Sequence, residues 1–219
     1  MKLYDAPAPN PLVVRLFIHE RGGLAFDAET VDIRNLANRG WKYRHHVNPR
    51  GEVPALVLDD GQVITEITAI CQYLDEITTG GKSLFGATPE ERAVTRMWTR
   101  RVYLEICHPV VSWFRTGADT VDFYRGHRIP VPEAQLVDKI VTNQGLNRLD
   151  EELEGKEYIC GNRVTMADVT LYGFMSMMVH VAPWLNPPGR TNVAAWFNRM
   201  KERETTKRAT KPFSGHMTV

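Results

Sequence analysis

The stretch from Asn48 to Glu76, NPRGEVPALVLDDGQVITEITAICQYLDE, constrains the fold more than any other part of this chain. Proline has no N–H for a strand ladder, so Pro54 belongs at an edge, a bend or a strand's first residue. Ala55, Leu56, Val57 and Leu58 follow as a short apolar strand, and Asp60-Gly61 has the form of a tight hairpin turn. Val63-Ile64 return, and Thr65-Glu66 lead into a helix that keeps Ile67, Ile70, Cys71, Leu74 and Ile77 on one face. A cis Val53–Pro54 bond is one form such a strand entry takes.

Composition narrows the class. At 219 residues there is room for one large domain or two small ones. With a formal charge of +1, nothing points to nucleic acid or an anionic membrane as the main partner. Cys71, Cys107 and Cys160 lie far apart, with neither CxxC nor zinc-ligand spacing. They read as buried reduced thiols of a cytoplasmic protein, and no metal is expected. No basic-apolar-small signal opens the chain. The most apolar run, Val169 to Leu185, is broken by Gly173, His180 and Pro183 and reads as a buried helix rather than a membrane span.

Ahead of the hairpin, Lys2 to Asp5 is a strand candidate, and Ala6 to Pro11 holds three prolines that no helix or strand interior accommodates. Asn10-Pro11 then predicts a helix start, with Asn at the N-cap and Pro at the first helical position. The helix runs through Leu12, Val13, Leu16 and Phe17 to Gly22-Gly23. Phe26 to Ile33 alternates as a second strand, with Val31 and Ile33 on one side. Asn35 to Val47 reads as a loop or a poorly formed helix. Thr79 to Ser83, glycine-rich, reads as a linker, giving an α/β domain over 1–79 and an all-helical one over 86–219.

In the second domain Thr88-Pro89-Glu90-Glu91 predicts a capped helix start. That helix extends to Ile106 or Cys107, with Pro109 kinking or ending it. Val131 to Leu153 predicts another, with Leu136, Ile140, Leu146, Leu149 and Leu153 on its apolar side. Thr165-Met166-Ala167-Asp168 predicts an N-capping box on a buried helix, a structural role worth about 1–2 kcal/mol. The tail after Lys207 is polar and expected to be loosely held.

NPRGEVPAL, the DDG hairpin, TEITAICQYLDE and the later YICGNRVTMADVTLY together resemble a cytosolic glutathione transferase, with some features of the nu class. The resemblance covers most of the chain. It implies a thioredoxin-like domain followed by an all-α domain, and glutathione as co-substrate without a metal. It also implies a homodimer formed along the helix after Thr88. In the family, glutathione's cysteinyl backbone pairs with the residue before the strand-leading proline, here Val53 beside Pro54. The γ-glutamyl end lies against a Glu-Ser pair. Glu66 matches the glutamate, while Ile67 stands where serine is usual and offers only a backbone N–H. Glu66 is equally at ease as the first carboxylate of a helix without a ligand. Arg39 is placed either at the glycyl carboxylate or in solvent.

The family's task is to favour a thiolate over a thiol whose free pKa is about 8.5. Lowering that by about two units is worth roughly 2.7 kcal/mol. The family's hydroxyl position falls on Ala8, which has none, and Asn10 two residues on carries an NH₂ donor. Asn10 is thus either the thiolate donor or only a helix cap, and Tyr4 is assigned to packing. The electrophile would lie between the two domains. Trp98, Tyr103, Trp113 and Phe114 are aromatic candidates that a helical core explains as well, and Arg100 and Arg101 are left open among solvent, partner and ligand. His45 and His46 are not spaced as metal ligands. The expected reaction is attack of the glutathione thiolate on a small hydrophobic electrophile, or glutathione-dependent peroxide or disulfide reduction. The rival reading is a non-catalytic binding or regulatory protein on the same fold, favoured by the missing hydroxyls at Ala8 and Ile67.

Overall fold

In a computed structural model of the chain, which describes all residues except 125, 187 and 188, the first strand is the centre of a five-stranded sheet. β1 (Lys2–Asp5) pairs in parallel with β2 (Ala25–Thr30) and antiparallel with β3 (Ala55–Val57). β3 continues to β4 (Val63–Thr65) through the Asp60–Gly61 turn, and β5 (Gly215–Thr218) closes the other edge against β2. The order is β4-β3-β1-β2-β5. α1 (Pro9–Arg21) is the crossover that a parallel β1–β2 pair requires. A short 3₁₀ turn (Ala37–Arg39) and the six-residue α2 (Trp41–His46) fill the segment read as a loop or poor helix.

Side chains alternate across strands, so β1 serves two layers. Tyr4 meets Tyr43 of α2 edge-on at 5.7 Å, over a cluster of Val31, Val47 and Ala55. Leu3 and Asp5 point to the other face, where Asp5 meets Arg15 of α1. α1 packs there with α3 (Ile67–Ile77), burying Val13, Phe17, Ile70, Cys71 and Leu74. Each such large apolar side chain contributes about 1.5–3 kcal/mol when fully buried. Pro54 sits just ahead of β3 and takes no ladder place, which is why an internal strand tolerates it. Val31 and Ile33 lie beyond the end of β2, one strand turn shorter than the alternation suggested.

The chain divides into two compact units, residues 1–91 with 201–219 and residues 92–200. This differs from the division at the glycines. Gly80 and Gly81 wrap the guanidinium of Arg21, which donates to the carbonyls of Gly80 at 2.7 Å and Thr78 at 2.8 Å and to Asp75 at 3.0 Å. A Cβ on Gly81 would lie 2.8 Å from Arg21 Nη1. The glycines therefore serve close packing inside the first unit, which continues through buried Leu84 and Phe85. The tail is not loose either. α10 (Glu204–Arg208) packs on α1, and β5 extends the sheet.

In the helical unit, α4 (Pro89–Val102) does not end near Pro109. It widens into a π-helical turn (Tyr103–Cys107) and continues as α5 (His108–Arg115). His108 N–H reaches back to the Tyr103 carbonyl, the i→i+5 bond of a π turn, just before Pro109. α6 (Val121–Tyr124) and α7 (Ala134–Glu152) follow; α7 begins three residues later than expected and leaves Leu136 and Ile140 exposed. Gly145 of α7 lies against the π turn, its missing Cβ 2.6 Å from the Glu105 carbonyl. α8 (Met166–Met178) is buried along its length, and α9 (Thr191–Glu202) packs Trp196 beside it. Among the described residues no helix is long and apolar enough to cross a membrane.

Candidate functional site

The ladder registers gather the predicted site residues at one end of the sheet. Tyr4 pairs with Ala55, and Ala55 with Thr65. The chain leaving β1 toward α1, the residue before Pro54 and the start of α3 therefore share that end. The Val53–Pro54 peptide is cis. The loop before it is pinned at Glu52, whose carbonyl accepts Tyr43 OH at 3.0 Å and Asn48 Nδ2 at 2.9 Å. One residue on, the N–H and C=O of half-buried Val53 have no hydrogen-bond partner among the described residues. Such backbone groups are almost always paired in folded chains; here a ladder-ready donor and acceptor stand open.

α3 presents a second open end. Its N-cap, Glu66, makes no side-chain cap bond, and the first turn closes only with Ile70 N–H on the Glu66 carbonyl at 3.0 Å. The N–H groups of Ile67, Thr68 and Ala69 are free among the described residues, a ready anion site. Glu66 has φ 70° and ψ 126°, a conformation L residues rarely hold and which costs about 1–3 kcal/mol. Its carboxylate is exposed, with Arg50 Nη1 at 3.9 Å. Ile67 is buried, so its side chain belongs to the core and its backbone alone faces the open end.

α1 opens the third side and departs from the expected cap. The N-cap is Ala8, at φ −145° and ψ 162°, with no side-chain cap bond, and helix begins at Pro9. Proline's fixed φ starts the helix at Pro9, two residues earlier than expected, so Asn10 is its second residue and caps nothing. Pro9 and Pro11 carry no N–H, and Leu12 N–H is taken by the Ala8 carbonyl at 3.0 Å. The donors left at this helix end are Asn10's own N–H and its half-buried side-chain NH₂, which has no partner among the described residues. Ala8 contributes only backbone.

Arg39 is half-buried at the end of the 3₁₀ turn, with its Cα 3.6 Å from where a Cβ on Gly51 would lie, two residues from Val53. Asn38 fixes this approach by donating to the Gly51 carbonyl at 2.5 Å. Sequence reading passed over Arg50 and Thr68. It also passed over a charge pattern that was visible. Between Asp32 and Glu52 stand Arg34, Arg39, Lys42, Arg44 and Arg50 with no acid among them, so the field at this end of the sheet favours anions.

The other candidates scatter. Tyr4 packs on Tyr43. His45 and His46 are exposed and group with Trp41. In the helical unit Trp98 has Arg101 and Lys156 over its ring at 5.2 and 5.5 Å. With Glu105 and Arg148 it borders a cavity of about 260 Å³. Tyr103 packs on Phe174 and Trp113 on Trp184, while Phe114 is half-buried and Arg100 exposed. Burial raises the thiol pKa of Cys71, Cys107 and Cys160, so none is disposed to act as a nucleophile. Among the described residues no three His, Cys, Asp or Glu side chains gather as metal ligands. Thr165 and Asp168 form the predicted capping box of α8, and both are fully buried.

The glutathione S-transferase N-terminal domain model matches residues 8–77, and the C-terminal domain model matches residues 130–204. Glutathione S-transferase 2 of Saccharomyces cerevisiae is 31% identical, over 95% of this chain and 88% of its own. Glutathione S-transferase GstA of Escherichia coli O157:H7 is 32% identical, over 93% of this chain and 94% of its own. The crystal structure of Gtt2 from Saccharomyces cerevisiae superposes with a TM-score of 0.84 at 26% identity, covering 95% of this chain and all of that one. Two domain models in the right order, and relatives matching almost end to end, agree with the sheet and helices described above: this chain belongs to the glutathione S-transferase family.

Proposed function

We propose that the protein binds glutathione along Val53, Glu66 and the start of α3 and activates its thiol at the start of α1. One observation carries the reading: Val53 keeps a free N–H and C=O at the sheet end where two uncapped helix starts also open. An extended tripeptide backbone satisfies both Val53 groups as an added strand would. The free N–H groups of α3 suit the γ-glutamyl carboxylate, Glu66 its ammonium, and Arg39 the glycyl carboxylate.

Asn10 then acts as the thiolate donor. A hydrogen bond to a charged group is worth about 1.5–3 kcal/mol, and the helix end adds about 0.3–1 kcal/mol. Together these meet the roughly 2.7 kcal/mol that a two-unit fall in thiol pKa requires. The chain's own residues bind, orient and hold a charge; the sulfur is glutathione's, and no protein cysteine forms a covalent intermediate. The bound thiolate attacks a small electrophile, or reduces a peroxide or disulfide. A homodimer and a cytoplasmic setting belong to this reading on family grounds.

The test is a calorimetric titration with glutathione, followed by ultraviolet titration of the bound thiol. Glu66→Ala is expected to weaken binding about tenfold, as the loss of one charge-assisted contact does. Failure of the unaltered protein to bind glutathione at millimolar concentration favours the second reading, a non-catalytic protein on this fold. Ala8 and Ile67, both without hydroxyls, are the residues that favour it.

A further inference from the structure

The C-terminal segment joins the first unit beneath the candidate site. Asp5 ends β1, directly before the loop that carries the chain to α1. Its enclosed carboxylate accepts Ala6 N–H at 2.8 Å and Arg15 Nη1 at 2.6 Å on Oδ1, and Phe213 N–H at 2.7 Å on Oδ2. Arg15, also buried, donates from Nη1 to the Ala6 carbonyl and from Nε to the Ala209 carbonyl, each at 2.9 Å. The ion pair thus holds both backbone polar groups of Ala6. The Ala6 carbonyl also accepts Ala8 N–H at 2.9 Å, and the Ala8 carbonyl accepts Leu12 N–H at 3.0 Å. Hydrogen bonds run without a break from residues 209–213 to the turn that presents Asn10.

Stability alone does not account for this arrangement. Burial pushes Asp5 above the usual carboxylate range and Arg15 below its usual value, against their mutual attraction. A buried pair of this kind is often matched in stability by apolar side chains of similar volume. Apolar side chains cannot hold the N–H and C=O of Ala6. The segment has an independent anchorage as well: Phe213 packs on Phe26 at 5.4 Å and its carbonyl accepts Thr30 Oγ1 at 2.9 Å, while β5 pairs with β2. The lock on Ala6 is an addition to a tail already held.

We propose that Asp5, Arg15 and the segment Ala209–Phe213 are positioning elements of the thiol-activating site, fixing Ala6 so that Asn10 meets the glutathione sulfur in one geometry. This rests on the reading of Asn10 as the thiolate donor. Donor placement within about 0.5 Å decides whether such a site works, and a loop of small residues and prolines has no side chains of its own to supply that precision.

The experiment pairs Asp5→Leu/Arg15→Met, which removes the lock without leaving a buried charge, with Arg15→Lys. Lysine keeps the charge opposite Asp5 but cannot reach Asp5, Ala6 and Ala209 at once. In the full-length protein without ligand, amide exchange at Ala8 and Leu12 is expected to speed about tenfold relative to Leu3 in both variants. With glutathione bound, the thiolate fraction at neutral pH is expected to fall about fivefold. Glutathione affinity should stay within about twofold, because Val53 and Glu66 are untouched. Unchanged exchange at Ala8 overturns the proposal, since that arm needs no glutathione. Faster exchange with an unchanged thiolate fraction overturns the link to Asn10. Absence of glutathione binding in the unaltered protein is a separate result, and it sinks the functional reading rather than the lock.

Discussion

Two helix starts in this molecule handle the same physical problem in opposite ways. Every helix begins with N–H groups that have no partner within it. At α8 a capping box answers it: Thr165 Oγ1 accepts Asp168 N–H, and the Asp168 carboxylate closes the N-cap in return. Asp168 accepts Thr165 N–H, Thr165 Oγ1, Ile159 N–H and Trp196 Nε1, each at 2.9 Å, with both Thr165 and Asp168 fully buried. At α3 no side chain caps the turn, the N-cap residue is exposed, and its backbone sits at φ 70°. A buried end depends on such partners, because water cannot reach it. An end left open at the surface, and held there against a backbone cost, is available to a ligand. The contrast separates a buried acid spent on closing a helix end from an exposed acid that caps nothing, although both stand at the start of a helix.

Breaking the closed end should produce the largest effect. Asp168→Ala strands several buried donors and is expected to cost about 3–5 kcal/mol in a denaturant melt. A loss below about 1 kcal/mol would mean that the two ends do not differ as argued. Asn10→Ala tests an open end. The bound thiol pKa should rise by about one to two units, as loss of a charge-assisted donor implies. Stability should move by less than about 0.5 kcal/mol, because Asn10 caps nothing. A large fall in stability would return it to the role of a cap.

Glu66→Gly sharpens the comparison further. Relieving the backbone strain should raise stability by about 0.5–1 kcal/mol while glutathione affinity falls. A variant that loses both would show that the strain is illusory. The smallest effect is expected at the far end of α1. A histidine in a last turn normally gains from the helix dipole when charged. At His19 burial outweighs this, aided by Arg208 and Arg15, and its pKa lies below the usual value. The folded protein therefore keeps His19 neutral while the unfolded chain binds a proton near pH 6.5. Its contribution to stability is complete above that pH and is lost as pH falls below it. His19→Gln should flatten the stability curve below about pH 6.5.

The closed end was legible because a capping box is a local pattern: Thr and Asp three residues apart before an apolar run. The proline-led strand and its hairpin were legible for the same reason, since one turn and one missing donor specify them. The residue type at Asn10 was also visible, but its helical position was misjudged by two residues. Asn-Pro is a good helix start taken alone, and Pro9, which starts the helix earlier, is equally good in that role. The glycines at 80 and 81 read as a linker because sequence does not show that Arg21 needs Gly81 bare. Continuation of the helix past Pro109 depends on a π turn that α7 packs against, and no local signal announces that contact.

By itself the sequence determined what neighbouring residues decide: the order of strands and helices up to Ile77, the hairpin, the buried capping box, and which side chains at the sheet end carry donors or charge. Tertiary structure decided the rest, because those features are made by residues far apart. The segment after Lys207 is polar and reads as loose until β2 offers it an unpaired edge and Asp5 offers it an acceptor. A backbone N–H that is free at Val53 and one that is locked at Ala6 are chemically the same group. Only the positions of distant atoms tell them apart.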